Sequence, residues 1–208
     1  GNTIMKDSIN RTRRGMLLGI AALPIAGFAA TVRTPPASEG PFYPLTAMRY
    51  DDVDNDLVTV AGKVREAGGE VVRLAGRVLD AGGRPIAGAR VEIWQCDAGG
   101  RYLHSSDRGG VARDAGFQGF GYDITGSNGE YTFRTIKPVP YAGRTPHIHV
   151  KVVVAGQERL TTQFYLPDHA GNARDWLYQR IEPSLREKVT LRFANAALGP
   201  EATLDIVV

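Results

Sequence analysis

The chain has 208 residues, 43% of them apolar, a formal net charge of +3 and a pI near 9.1. This suits one globular domain with a core of useful size, and it excludes a disordered, collagenous or disulfide-built chain. The basic pI does not mark a nucleic-acid binder: Lys6, Arg11, Arg13 and Arg14 against Asp7 place the whole +3 in residues 1–30, and the remainder is formally neutral.

Residues 1–30 read as an export leader. A basic start precedes an apolar run and small residues. The run is roughly 15 residues, short of the ~20 a spanning helix needs, so no stable membrane span is expected. Arg13-Arg14 directly before the apolar run resembles a twin-arginine signal, which places the mature protein in an exported, periplasmic setting.

Residues 31–70 are expected to form an extended N-terminal arm and the first strands. Thr34 to Leu45 is too rich in Pro and Gly for regular structure, and Asp51 to Asp56 reads as an acidic surface loop. From residue 71 to 208 the pattern is β. Val71–Leu79 alternates and ends on Asp80-Ala-Gly-Gly. Ala89–Trp94 places Val91 and Ile93 on one face, with Arg90, Glu92 and Trp94 on the other. Tyr131–Ile136 follows Ser127-Asn-Gly-Glu130, a hairpin signal, and His147–Val154 with Leu160–Tyr165 forms a further hairpin. Asp175–Glu187 is the one stretch able to hold helix, limited by Pro183, and Lys188–Phe193 with Ala202–Val208 is expected to close the domain. The fold class is therefore all-β: a single-domain β-sandwich of mainly antiparallel strands with long active-site loops. The lone Cys96 excludes an internal disulfide and reads as a buried small side chain.

His147-Ile148-His149 is the sharpest local signal, because residues i and i+2 of a strand share a face and two imidazoles can reach one metal. Alone, such a pair is equally compatible with a structural role. His104 and His169 lie in polar loops and read as exposed. Tyr141 stands six residues before His147, and Tyr102 follows the strand ending at Trp94. A tyrosine hydroxyl has a solution pKa of about 10, so only a strong Lewis acid keeps it ionised at neutral pH, and ferric iron meets that demand better than zinc.

The runs GRVLDAGGRPIAGARVEIWQCDAGGRYLH, GEYTFRTIKPVPYAGRTPHIHVKV and LTTQFYLP, with SEGPFYP before them, resemble the intradiol ring-cleavage dioxygenase family over roughly residues 36–168. The resemblance implies an Fe(3+) cofactor held by Tyr102, Tyr141, His147 and His149, with Tyr141 and His149 axial. It also implies catalytic roles for Tyr141, for Arg144 beside the substrate and for Gln163 beside Arg144. The implied partners are a catechol-type small molecule and O2, and homo-oligomerisation stays open. The chain departs from the pattern in its short Tyr141–His147 loop, where Ala142-Gly143 follows the tyrosine. A more open pocket is expected, and the choice of catechol is left open. Two rival readings are a non-catalytic transthyretin-like binding module, whose GxVxDxxGxPIxGA opening the chain shares, and an exported zinc or copper protein using only His147 and His149.

Overall fold

The computed structural model describes residues 31–208, so the leader expected over 1–30 lies outside it. Nine strands run in chain order: β1 (Val71–Leu79), β2 (Arg90–Trp94), β3 (Phe120–Ile124), β4 (Glu130–Ile136), β5 (His147–Val154), β6 (Gln157–Tyr165), β7 (Ala194–Ala196), β8 (Gly199–Thr203) and β9 (Ile206–Val207). One sheet has the order β4-β1-β8-β7, with β9 also on β1; the other has the order β3-β2-β5-β6. All pairings are antiparallel except β1 with β8 and with β9. The all-β sandwich is as expected. Among the described residues, no helix is long and apolar enough to cross a membrane.

The core lies between the sheets. Leu74, Val78, Tyr131 and Phe133 of one meet Val91, Ile93, Ile148, Val150 and Phe164 of the other. Each such side chain contributes roughly 1.5–3 kcal/mol by leaving water. Strand β5 is buried on both faces over His147–Val152. Its inward set is aliphatic; its outward set is His147, His149 and Lys151. A second, smaller cluster sits on that outward face, made of Trp94, Cys96, Tyr102, Leu103 and Phe120 with Phe42, Tyr43 and Tyr141 packed against it. Cys96 is buried, as expected.

That second cluster exists because residues 34–50 lie across the β3-β2-β5-β6 sheet. The Ala37 amide donates to the Thr161 carbonyl at 2.9 Å, Glu39 pairs with Lys151, and Tyr43 donates to Glu92 at 2.6 Å. Residues 31–70 hold none of the expected first strands. They contribute a 3-10 turn at Thr46–Met48 and an isolated bridge from Asp56 to Arg134.

Strand β3 lay outside the expectations because it breaks the alternation rule: Gly121 sits where a Cβ would lie 2.5 Å from the Asp54 carbonyl oxygen, so close backbone approach takes precedence over pattern. Two further expectations need correction. The Ser127–Glu130 turn does not make a hairpin, because β3 pairs with β2 while β4 pairs with β1 in the opposite sheet. Lys188–Phe193 is not a strand either. Pro183–Val189 forms a 3-10 helix with Pro near its start, and only Thr190 bridges to Tyr165. The β6 edge ends there, before Pro167, which has no N–H to extend a ladder. The other member of the expected closing pair, Ala202–Val208, is realised as parts of β8 and β9, and β7 pairs with β8. The expected helix over Asp175–Glu187 is realised as α1 (Trp176–Gln179) and that 3-10 helix, divided ahead of Pro183.

Candidate active site

Tyr102 stands in a loop held by two buried aspartates. Asp97 Oδ1 accepts from the amides of Gly99 and Arg101, each at 2.9 Å, and its Oδ2 from Asp114 at 2.6 Å. Asp107 Oδ2 accepts from the Tyr102 amide at 2.7 Å and its Oδ1 from Gly109 at 3.0 Å. Arg101 closes the loop on the carbonyls of Asp107, Gly109 and Val111. Neither aspartate emerged from the sequence reading. Asp97-Ala-Gly-Gly carried a usable signal, since Asp before glycines favours a turn in which its side chain caps the following amides.

The Tyr102 hydroxyl is buried between two imidazoles. Its Oη lies 3.1 Å from His147 Nε2 and 3.1 Å from His149 Nε2, and those two nitrogens are 3.2 Å apart. His147 Nδ1 donates to the Thr145 carbonyl at 2.7 Å, which leaves Nε2 as the lone-pair nitrogen facing the triangle. His149 is stacked on Trp94 at 4.8 Å with the planes 9° apart, and its Nδ1 is buried with no protein partner among the described residues. Phe42 of the arm stacks on Tyr102 at 5.0 Å, and Gly40 lies over His149.

Burial governs the protonation of these groups. It pushes His147 down to about 4, with help from the Arg144 charge, and pushes His149 well below its ordinary value, with help from His147. Both rings are therefore neutral near pH 7 and able to donate lone pairs. Burial drives Tyr102 well above 10, so its hydroxyl keeps its proton until a cation displaces it.

The donor set fits a metal of particular character. Three donors with edges of 3.1–3.2 Å can all lie about 2.1 Å from one centre. Among the described residues, no group of three His, Cys, Asp or Glu is arranged to hold a metal ion, and the third donor facing the two imidazoles is the Tyr102 oxygen. That oxygen is hard and strongly donating, which favours ferric iron over zinc.

The other three expected site residues surround this triangle. Tyr141 packs edge-on to Tyr102 at 5.0 Å and to Phe42 at 5.6 Å, but its hydroxyl makes no hydrogen bond with the three donors. It begins a tight turn in which Ala142 (φ 43°) and Gly143 (φ 80°) are left-handed and the Arg144 amide donates to the Tyr141 carbonyl at 2.7 Å. Tyr141 is half-buried, and burial raises its hydroxyl above the ordinary value. A cleft of about 540 Å³ runs past Tyr141, Phe42, Gly100, Arg101 and Arg108. A larger hollow of about 670 Å³, lined by Lys63, Arg65 and Arg113, contains none of the triangle's donors.

Arg144 Nε donates to Asp175 Oδ2 at 2.7 Å and its Nη2 to Gln163 Oε1 at 2.7 Å. Gln163 is fully buried. Its Nε2 donates to the Ser38 carbonyl of the arm at 2.8 Å, and its Oε1 also accepts from Tyr165 at 3.0 Å. Burial alone would raise the Asp175 carboxyl, but Arg144 and the backbone amides outweigh it and hold it below the usual range. His169, expected to be exposed, is half-buried: its Nδ1 accepts from the Gly171 amide at 3.0 Å and lies 3.3 Å from Thr145 Oγ1. The structure thus brings Tyr102, His147 and His149 into one donor set, with Arg144 and Gln163 paired beside it and Tyr141 at its rim.

Residues 38–208 match a family model described as dioxygenase. The chain is 38% identical over 171 residues to the protocatechuate 3,4-dioxygenase beta chain of Burkholderia cepacia, covering 74% of this chain and 71% of that one. It is 30% identical over 196 residues to catechol 1,2-dioxygenase 1 of Acinetobacter lwoffii, covering 81% of this chain and 57% of that one. Among solved structures, the dioxygenase domain of a carbohydrate-binding fusion protein from Streptomyces sp. SirexAA-E superposes with a TM-score of 0.63 at 31% identity, covering 85% of this chain and 98% of that one. The 3-chlorocatechol 1,2-dioxygenase of Rhodococcus opacus 1CP shares the fold with a TM-score of 0.61 at 24% identity, covering 83% of this chain and 71% of that one.

Proposed function

The chain belongs to the intradiol ring-cleavage dioxygenase family, and we propose that it holds one ferric ion through Tyr102, Tyr141, His147 and His149 and cleaves a catechol-type ring with O2. Cleavage falls between the two hydroxylated carbons, and both oxygen atoms enter a cis,cis-muconate-type product. One observation carries the metal assignment: a buried phenol oxygen 3.1 Å from two imidazole nitrogens that are neutral near pH 7. A binding module has no use for that arrangement, and zinc or copper on the histidine pair would leave the Tyr102 hydroxyl idle between its ligands. The twin-arginine leader adds the proposal that the enzyme works after export.

When bound, ferric iron supplies a Lewis acid that keeps phenolates ionised and draws electron density from a coordinated catechol. The chain's own groups do the rest. His147 and His149 bind, with the Thr145 carbonyl holding the His147 ring in the ligating tautomer. Tyr141 stands beside the cleft and not inside the donor triangle, which supports reading it as the ligand that would give way to substrate and take up a catechol proton. Arg144 offers a fixed positive charge where electron density builds on the ring. Its charge already reaches the Tyr102 hydroxyl and both imidazoles. Phe42 and Trp94 keep water from the donors.

Ferric loading tests this directly. The loaded protein should turn red-brown from phenolate-to-iron charge transfer. It should consume O2 with at least one of catechol, protocatechuate, hydroxyquinol or a substituted catechol, giving the ultraviolet spectrum of a muconate. A colourless iron-loaded protein would overturn the ligand assignment; an extradiol product spectrum would overturn the regiochemistry.

A further inference from the structure

Asp175 has no part in the chemistry described so far, yet its side chain is fully buried and all of its acceptor capacity is in use. Oδ2 accepts from Arg144 Nε at 2.7 Å and from the Thr145 amide at 2.8 Å. Oδ1 accepts from the Leu177 and Tyr178 amides at 3.1 and 3.0 Å, capping α1. Thr145 in turn presents the carbonyl that fixes His147 Nδ1. One carboxylate therefore joins three parts: the arginine beside the candidate metal centre, the peptide that orients one histidine, and the segment after β6.

We propose that Asp175 is a positioning residue that sets Arg144 and His147 in register with each other. This rests on the functional reading above. A guanidinium on a flexible stem is a poor electrostatic device unless its plane is fixed. Two of the three Arg144 nitrogens are fixed, Nε by Asp175 and Nη2 by Gln163, and the Tyr165 hydroxyl also lies against the guanidinium. Gln163, being neutral, orients Arg144 without anchoring its charge; the Asp175 carboxylate supplies the charge-assisted bond. Displacement of such a group by as little as an ångström costs about 100-fold in rate.

The substitution Asp175→Asn separates this role from that of the helix cap. Asparagine caps as well as aspartate, so its oxygen keeps the Leu177 and Tyr178 amides. Its NH2 then faces the Arg144 and Thr145 N–H groups, donor against donor. In the ferric enzyme, kcat should fall by about 10- to 100-fold, with the phenolate colour retained and the unfolding midpoint lowered by the broken ion pair. Adding Asp175→Asn to Arg144→Gln should cost less than about 3-fold more, because the two act as one unit. In the metal-free protein, the Arg144 Nε–H should exchange slowly in the wild type and rapidly in Asp175→Asn. Asp175→Ser, whose short hydroxyl caps α1 without reaching Arg144, should give the same pattern.

If the wild-type ferric enzyme consumes no O2 with any catechol, the functional reading fails, and Nε–H exchange alone decides whether the clamp exists. If the wild type turns over and Asp175→Asn matches it, the proposal is overturned. It is also overturned if the two losses multiply, or if Nε–H protection is unchanged.

Discussion

The two candidate tyrosine ligands stand in loops of opposite character. Tyr102 is 2% exposed, its amide is gripped by Asp107, its ring is covered by Phe42, and its oxygen touches both imidazoles. Tyr141 is half-buried in a four-residue turn, and its hydroxyl makes no hydrogen bond within the donor set. Tyr102 is held at its amide, its ring and its hydroxyl; Tyr141 is held by its turn and its ring packing, with its hydroxyl outside the donor set.

Removing the fixed oxygen should do the most damage. Tyr102→Phe leaves two neutral imidazoles and no hard donor in the triangle. Ferric affinity in a chelator competition should fall by more than about 100-fold, and the visible band should be lost. Retention of both would show that Tyr102 is only a hydrogen-bonding neighbour of the histidines.

Tyr141→Phe should be milder and should show itself in proton count. Burial raises both hydroxyls above their ordinary value, so both are protonated at neutral pH and each must release a proton to ligate. Ferric affinity therefore rises with pH. The slope of log affinity against pH, between pH 6.5 and 8, should be lower in Tyr141→Phe than in wild type by about one proton, and the band should shift without vanishing. Equal slopes in the two proteins would remove Tyr141 from the ligand set.

Much of this site was legible in the sequence because strands report locally. The alternation of Val71–Leu79 and the β-branched run after His147 define β1 and β5, and the period of two puts both imidazoles on one face. What was illegible depends on distant chain. Asp175 meets Arg144 from 31 residues away, and Gln163 meets the Ser38 carbonyl from 125 residues away. No local pattern encodes such a meeting. Strand β3 was hidden by Gly121, whose lack of a side chain is explained only by the loop that presses on it. The Asn-Gly turn at Asn128 pointed to a turn but could not say that its flanking strands join different sheets.

The smallest effect tests the packing that distinguishes the two tyrosines' surroundings. Gly40 and Gly143 both have left-handed backbones, with φ of 74° and 80°. Alanine at either position pays a similar backbone penalty of about 1 kcal/mol. Their surroundings differ: a Cβ on Gly40 would lie 3.3 Å from His149 Cε1, while a Cβ on Gly143 would meet nothing within 4 Å. His149 cannot retreat, because Trp94 is stacked on its ring. Gly40→Ala should therefore destabilise the metal-free protein by more than Gly143→Ala, by roughly 0.5–1 kcal/mol in denaturant unfolding, and should disturb the His149 ring resonances. Equal losses in the two variants would mean that the arm does not bear on His149, and that the closed half of the site owes its rigidity to the Tyr102 loop alone.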